Sequence, residues 1–370
     1  MDFSLSDEQV AVRDLAEQIF QTSATVEAVK AVEATDDRVD TTLWQALADA
    51  NLLGLCLPED VGGSGLGFLE CCLVLEQLGR VVAPVPFWAT VVLGALPIAE
   101  FGTAEQRQAW LPGVVAGTTF LSAALAEPGL NDPQRPSVRA RPDGTSWRLD
   151  GLKLAVPAAH VAARVLVPAS TGDGVAVFLV DPHGPGARLE RAITTNREVH
   201  PHLHLDGAPG EPVGVPEAGG RVLSGMIERA LLGLCALQVG VCEAAVRLAA
   251  DYTSQRVQFG KPLSTFQGVA IRAADGYILT EAIRVTMQQA AWRLDAGRDA
   301  TSDVLVAKWF ASDGGQRVEH LAQHLHGGLG ADIDYPVHRY FLWGKQIEDT
   351  LGGASAQLAR LGAELAGATR

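Results

Sequence analysis

The stretch from Val222 to Ser254 constrains the fold more than any other part of the chain. It carries one helical pattern, holds few charges and is apolar on nearly every side. A helix that is hydrophobic all round is buried, either inside a bundle or against another subunit. Two further long helical patterns follow it, over Gln267 to Asp295 and Ser302 to Leu325. Residues 218–370 therefore read as a helical bundle. No uninterrupted apolar run reaches the roughly 18 residues needed to cross a bilayer, so no membrane span is expected.

Residues 1–118 also read as helical. Ser6 and Gln9 are spaced for a capping box ahead of Val10, Leu15, Ile19 and Phe20. A second helix is expected from about Thr42 to Leu53, ending in the turn-rich run from Leu57 to Gly67. Helical spacing resumes over Phe68 to Leu78, is interrupted by Pro84 and Pro86, and returns from about Thr103 to Leu111. The character changes near Thr119. To about residue 217 the chain is rich in proline, glycine and short β-branched runs, with strands expected at Ser146–Leu149, Val161–Val167 and Val175–Val180. The expected fold is α+β in three consecutive domains: helical over 1–118, a small β-barrel or sandwich over 119–217, and a four-helix bundle over 218–370.

Composition narrows the function classes. The 370 residues are 48% hydrophobic and 19% charged, which is globular rather than disordered. A net charge of -14 argues against nucleic acid, whose phosphates need clustered cations. It leaves room for an anionic cofactor held by a few local arginines and backbone N–H groups. The start, Met1-Asp2-Phe3-Ser4-Leu5, lacks the basic-then-apolar order of a signal peptide. The five cysteines, Cys56, Cys71, Cys72, Cys235 and Cys242, form no C-x-x-C and read as reduced core residues of a cytoplasmic protein.

Two blocks carry the chemistry. The first runs Arg256-Val257-Gln258-Phe259-Gly260-Lys261-Pro262-Leu263 and on to Phe266-Gln267; the second runs Gln323-His324-Leu325-His326-Gly327-Gly328-Leu329-Gly330, followed by His338-Arg339-Tyr340. Arg256 offers a permanently charged fork to a pyrophosphate. Phe259 can pack on an adenine or flavin face. Gly327-Gly328 lets backbone N–H groups approach an anion closely. Taken singly, Arg256 is as well explained as a helix-end cation and the glycine pair as a C-cap.

In this order and at these spacings, the blocks resemble the acyl-CoA dehydrogenase family over essentially the whole chain. Leu43-Trp44-Gln45-Ala46-Leu47 and Pro58-Glu59-Asp60-Val61-Gly62-Gly63 are similar to that family's N-terminal helix and glycine loop. The resemblance implies FAD lying across a dimer interface. One subunit's β-domain holds the isoalloxazine ring, and the neighbour's bundle holds the pyrophosphate and adenosine. The matching bundle positions are Arg256, Gln258, Phe259, Phe266, Gln267, His324, Leu325, His326, Gly327 and Gly328. His324 stands where the family usually has glutamine.

The chain departs from the family pattern where the reaction would occur. The family removes an α-proton with a glutamate in an apolar pocket, which raises the carboxylate's pKa. The matching loop is Thr350-Leu351-Gly352-Gly353-Ala354, which has no acid. A minority of the family carries the base on the long helix, where family spacing counts back from Arg256 to Ala230. Glu228 lies two residues away, about 200° round the helix. The family's Thr-Glu-Pro reads Ala126-Glu127-Pro128 here, and its Trp-Ile-Thr reads Ala155-Val156-Pro157. Residues serving a neighbour's FAD are kept, while those serving the chain's own flavin are lost. The chain thus resembles the base-less subunit of actinobacterial heteromeric acyl-CoA dehydrogenases acting on steroid side chains. The expected assembly is α2β2, with a sister subunit carrying the catalytic Glu, an acyl-CoA substrate, and electron-transfer flavoprotein or a similar acceptor. Two alternatives stand beside it: a homotetramer using a relocated carboxylate, Glu348 or Glu228, and a flavin-free scaffolding partner.

The remaining signals have plain explanations. His200, His202 and His204 alternate as zinc ligands on one strand face would, but also as a strand edge would. His320 and His324 are four apart without H-E-x-x-H, so no metal is expected. Glu348 and Asp349 read as a solvated rim, with Glu348 the best substitute base. Glu243 reads as an ion-pair partner before a base. Trp292 and Trp309 read as core.

Overall fold

The computed structural model describes residues 3–129, 132–144 and 146–367; Met1 and Asp2 of the acidic start lie outside them. The chain begins with α1 (Asp7–Ser23), whose Ser6 and Gln9 close the expected capping box. Then come α2 (Val26–Glu33), α3 (Thr41–Asp49) and α4 (Phe68–Val81). Asp40 caps α3 by accepting from the Leu43 N–H at 2.9 Å. After Pro84 and Pro86 the chain makes a wide π-helical segment, Trp88–Ala95, which continues into α5 (Leu96–Phe101) and then α6 (Ala104–Val115). The two prolines conceal this segment in the sequence. It forms because tertiary packing buries Ala89 to Ala95 completely.

The β-domain follows as β1 (Leu121–Ala123), β2 (Arg139–Asp143), β3 (Ser146–Lys153), β4 (Arg164–Thr171), β5 (Gly174–Val180), β6 (Ala187–Glu190) and β7 (His202–Pro212). Strands β4, β2, β3, β7 and β5 pair in that order, and β5 pairs back to β4, which closes a small barrel. Its interior is filled by Leu149, Val165, Val167, Phe178 and Leu203. The long helices are α7 (Gly219–Gln255), α8 (Gln267–Asp295) and α9 (Thr301–His326), joined to α10 (Val337–Asp349) and α11 (Ala354–Gly367). Between α7 and α8, β8 (Val257–Gln258) and β9 (Lys261–Pro262) form a hairpin. By length and composition alone α7 could cross a membrane, but most of its apolar window is buried in the protein.

By packing, the chain divides into two compact units that do not follow the sequence order of its helical, β and helical parts. One joins residues 1–29 and 68–83 to 231–370, and the other comprises 30–67 and 84–230. The reason lies in α4, which belongs with the long helices rather than with its sequence neighbours. A Cβ on Gly79 would stand 2.2 Å from the Leu237 carbonyl, and one on Gly240 would stand 2.0 Å from that of Glu76. α4 and α7 thus cross backbone to backbone, which only glycine permits.

Two core expectations need correction. Trp292 is 38% exposed and carries the Arg298 guanidinium 4.8 Å above its ring, because it lies near the solvent-facing end of α8. Trp309 is half-buried, edge-on to Phe310. None of the five cysteines is in a disulfide; four are buried, and Cys56 is half-buried with its thiol on the Gly67 carbonyl.

Candidate functional site

Arg256 follows the end of α7 and is exposed. The hairpin beyond it pairs Val257 with Pro262 and Gln258 with Lys261. Its two turn residues, Phe259 and Gly260, have φ of 55° and 79°, as so tight a hairpin requires. Glycine adopts this conformation freely, but for phenylalanine it costs about 1–2 kcal/mol. Burial does not offset that cost, since Phe259 is 89% exposed. A strained and exposed aromatic side chain points to a contact outside the chain. Beneath it, Phe266 meets Phe259 edge-on at 6.1 Å and takes the Lys261 ammonium 4.3 Å over its face.

The second block closes α9. Gly327 caps the helix at φ 60°, and no heavy atom lies within 4 Å of a Cβ built on Gly327 or Gly328. This open glycine pair, with exposed His324 beside it, can receive an anionic group against its backbone. Leu325 and His326 face the other way. Both are buried, and the His326 ring stacks on Tyr252 at 4.9 Å with Nδ1 2.7 Å from the Ala322 carbonyl oxygen. Burial holds the His326 imidazole below its ordinary pKa. His324 and Gly327 also border a cavity of about 1090 Å³ between α8 and α9.

The loop after α10 holds no acid, yet it is firmly fixed. Leu351 and Gly352 have φ of 61° and 97°. Gln357 donates to both their carbonyls at 3.1 and 2.7 Å, and Arg360 donates to that of Leu351 at 3.2 Å. Just upstream, fully buried Lys308 donates to the carbonyls of Ile347 and Glu348 at 2.8 and 3.1 Å. Burial pulls its pKa down to about 8.

The candidate substitute bases are otherwise engaged or badly placed. The Glu348 carboxylate accepts from Lys345 at 2.9 Å. Glu243 lies between Arg80 and Arg284 at 2.8 and 2.6 Å; burial pushes its pKa up, but the two guanidiniums hold it below the usual range. Glu228 is half-buried on α7, while Ala230 is fully buried with its carbonyl accepting from the Trp88 indole at 3.1 Å. One buried acid was not legible in the sequence. Glu319 on α9 is pushed well above its ordinary pKa by burial, accepts from Gln238, and is packed against Gly344 with no room for a Cβ there.

In the β-domain, Glu127 and Lys153 form a fully buried pair at 2.5 Å. Glu127 also accepts from the Ser137 N–H at 2.6 Å and from its hydroxyl. The segment after Lys153 directs its backbone inward. The Leu154 N–H donates to the Ala126 carbonyl at 2.9 Å, the Ala155 N–H to His202 Nδ1 at 3.0 Å, and the Val156 N–H to the Pro201 carbonyl at 2.8 Å. Pro157 has no N–H, and its carbonyl accepts from Ser122 at 2.5 Å. No N–H from 154 to 157 is left for a ligand. The neighbouring histidines have separate partners: His200 meets Glu198 at 3.2 Å and His204 meets Glu190 at 2.8 Å. Among the described residues no group of three His, Cys, Asp or Glu side chains could hold a metal ion.

Comparison with known proteins places the chain in a family. Residues 6–118 match the acyl-CoA dehydrogenase N-terminal domain, and residues 217–365 match the acyl-CoA dehydrogenase C-terminal domain. The chain belongs to the acyl-CoA dehydrogenase family. It is 38% identical to the acyl-CoA dehydrogenase FadE27 of Mycobacterium tuberculosis, over 99% of both chains, and 34% identical to FadE28 of the same organism, over 98% of both. Among solved structures it is similar to a chain of the Tcur3481-Tcur3483 steroid ACAD G363A variant, with 48% identity and a TM-score of 0.95 over 99% of this chain and all of that one. It is also similar to a chain of the ChsE4-ChsE5 complex from Mycobacterium tuberculosis, with 39% identity and a TM-score of 0.93 over 99% of each.

FAD is the cofactor of the acyl-CoA dehydrogenases, and the two halves of its site fare differently in this member. The bundle half fits it: Arg256, Gln258, Phe259, Gln267, His324, Gly327 and Gly328 are exposed, and the glycine pair is an open cradle. Leu325 and His326 can serve only through their main chain, because the last turn of α9 points their side chains into the core. The β half does not fit, since its acyl-CoA dehydrogenase flavin segment has its hydrogen bonds completed from within.

Proposed function

We propose that this chain is the non-catalytic subunit of a heteromeric, FAD-dependent acyl-CoA dehydrogenase. The observation that carries the reading is the closed segment 154–157, where three N–H groups are already paired and the fourth residue is proline. Leu351 or Gly352 in the loop, and Ala230 on the long helix, stand where the family places its base, and none of them can take a proton. Arg256, Phe259 and the Gly327-Gly328 turn serve the pyrophosphate and adenosine of a FAD whose ring lies on a sister subunit. When bound, FAD would supply the hydride acceptor for the β-carbon of an acyl thioester whose α-proton is removed by a base. This chain supplies neither the base nor the ring pocket; it orients the cofactor's other half and closes it from water.

The two similar solved structures, the Tcur3481-Tcur3483 steroid ACAD variant and the ChsE4-ChsE5 complex, each pair two chains, which supports a heteromeric assembly, α2β2 in our reading, acting on a steroid-like acyl-CoA. A cytoplasmic setting suits the five thiols, and electron-transfer flavoprotein or a similar acceptor would reoxidise the cofactor. No observation favours Glu348 or Glu228 as a relocated base. FAD content tests the proposal. The chain alone is expected to purify without flavin, and with a Glu-bearing sister to hold one FAD per pair. A pure homo-oligomer with one FAD per chain that oxidises an acyl-CoA would overturn it.

A further inference from the structure

The cavity between α8 and α9 extends well past the residues that the family resemblance implies for the cofactor. At about 1090 Å³ it slightly exceeds the roughly 300–1,000 Å³ typical of ligand sites. His324 and Gly327 form one edge. Arg272 and Asp275 project from α8, one turn apart, and Ile278 and Leu321 supply apolar wall. Arg272 and Asp275 are exposed and three residues apart, the spacing at which opposite charges usually pair on a helix. Among the described residues, however, they form no ion pair, and neither has another ionic partner. Arg317, the other arginine of the cavity, is bound to Asp313 at 3.0 Å. Arg272 is therefore the cation of this cavity that lacks an anion.

The chemistry of the wall is specific. A guanidinium takes a phosphate in a two-pronged charge-assisted hydrogen bond. A carboxylate one helical turn on can accept from ribose hydroxyls. An apolar wall suits a purine. Together these match an adenosine diphosphate moiety. The cavity adjoins the glycine turn already assigned to the sister subunit's cofactor.

We infer that Arg272 is a further cofactor-binding residue of this chain, holding a phosphate of the sister subunit's FAD while Asp275 takes the ribose. This deepens the proposed function and rests on it. Arg272 is exposed and forms no ion pair among the described residues, so its substitution should leave the helix intact.

The test uses the full chain reconstituted with its Glu-bearing sister. FAD is titrated by flavin fluorescence quenching, and assembly is followed by sedimentation. Arg272→Gln is expected to weaken FAD binding roughly 10- to 100-fold, as the loss of a hydrogen-bonded charge does. Arg272→Lys should recover part of that loss, and the salt dependence of binding should be shallower in Arg272→Gln than in the wild type. FAD affinity within twofold of the wild type in Arg272→Gln overturns the inference. So does loss of assembly in Arg272→Gln, which would make Arg272 a contact to protein rather than cofactor. A wild-type pair that binds no FAD, or a lone chain that binds it one to one, overturns the proposed function instead.

Discussion

Replacing Lys153 by methionine strands a carboxylate inside the β-domain, and the cost can be worked from the pair's geometry. Lys153 and Glu127 are both fully buried and 2.5 Å apart. Burial pulls the Lys153 pKa from 10.5 to about 8 even with Glu127 beside it. Desolvation therefore outweighs attraction at this ammonium. The pair is thus no net source of stability, but breaking it is another matter. In Lys153→Met, Glu127 keeps only the Ser137 N–H and hydroxyl and the Val138 N–H. An uncompensated buried charge of this kind costs about 3–5 kcal/mol. The double variant Glu127→Gln, Lys153→Met removes both charges and should return to within about 1 kcal/mol of the wild type. The pH dependence follows from the sign of the Glu127 shift. Burial pushes this carboxyl up, but Lys153 and Ser137 together hold it below its usual value. Its contribution is present above about pH 4.5 and is lost as pH falls through the depressed native value. The gap between wild type and Lys153→Met should therefore be full at pH 7 and narrower at pH 4. Urea unfolding of the full chain at the two pH values measures it. A loss under about 1 kcal/mol in Lys153→Met at pH 7, or a double variant no better than the single one, would refute the reasoning.

Phe259→Asn should stabilise the lone chain by about 1 kcal/mol in urea unfolding, because asparagine tolerates positive φ, while weakening FAD retention in the reconstituted pair. Gly240→Ala, with its Cβ 2.0 Å from the Glu76 carbonyl, should abolish soluble full-length protein, as judged by its yield after expression. Leu351→Glu should give no acyl-CoA oxidation in the lone chain by dye reduction, since segment 154–157 has no N–H left to offer a flavin. Lys308→Ala should loosen the loop at Leu351, read as faster amide hydrogen exchange over 347–353, because two carbonyls lose their donor.

Much of this architecture was legible in the sequence, for identifiable reasons. The bounds of α8 coincide with the expected Gln267 to Asp295, because periodicity there is unbroken. The Ser6–Gln9 box marks α1 because capping is local chemistry. The π-helical segment after Pro86 was not legible, since nothing local favours it over a loop and only its burial explains it. Nor could composition tell that α4 leaves its neighbours to join the long helices, a choice made by Gly79 and Gly240 on separate segments. At the site, Arg256, Phe259 and the glycine pair were readable because each is needed for its own chemistry. The inward turn of Leu325 and His326 was not, because a block that matches in sequence does not say which way each side chain points. The pairing of the Ala155 N–H with His202 joins residues 47 positions apart, beyond the reach of any local pattern.

That pairing has a consequence for biosynthesis. A protein that leaves a cofactor's hydrogen-bond partners bare is incomplete until the cofactor arrives, and its supply then limits how much survives quality control. With the backbone of 154–157 completed from within, this chain needs no riboflavin-derived ligand to finish its β-domain. Under the proposed function, it would accumulate during flavin shortage and wait, leaving the sister subunit as the point at which vitamin supply controls how much enzyme is assembled.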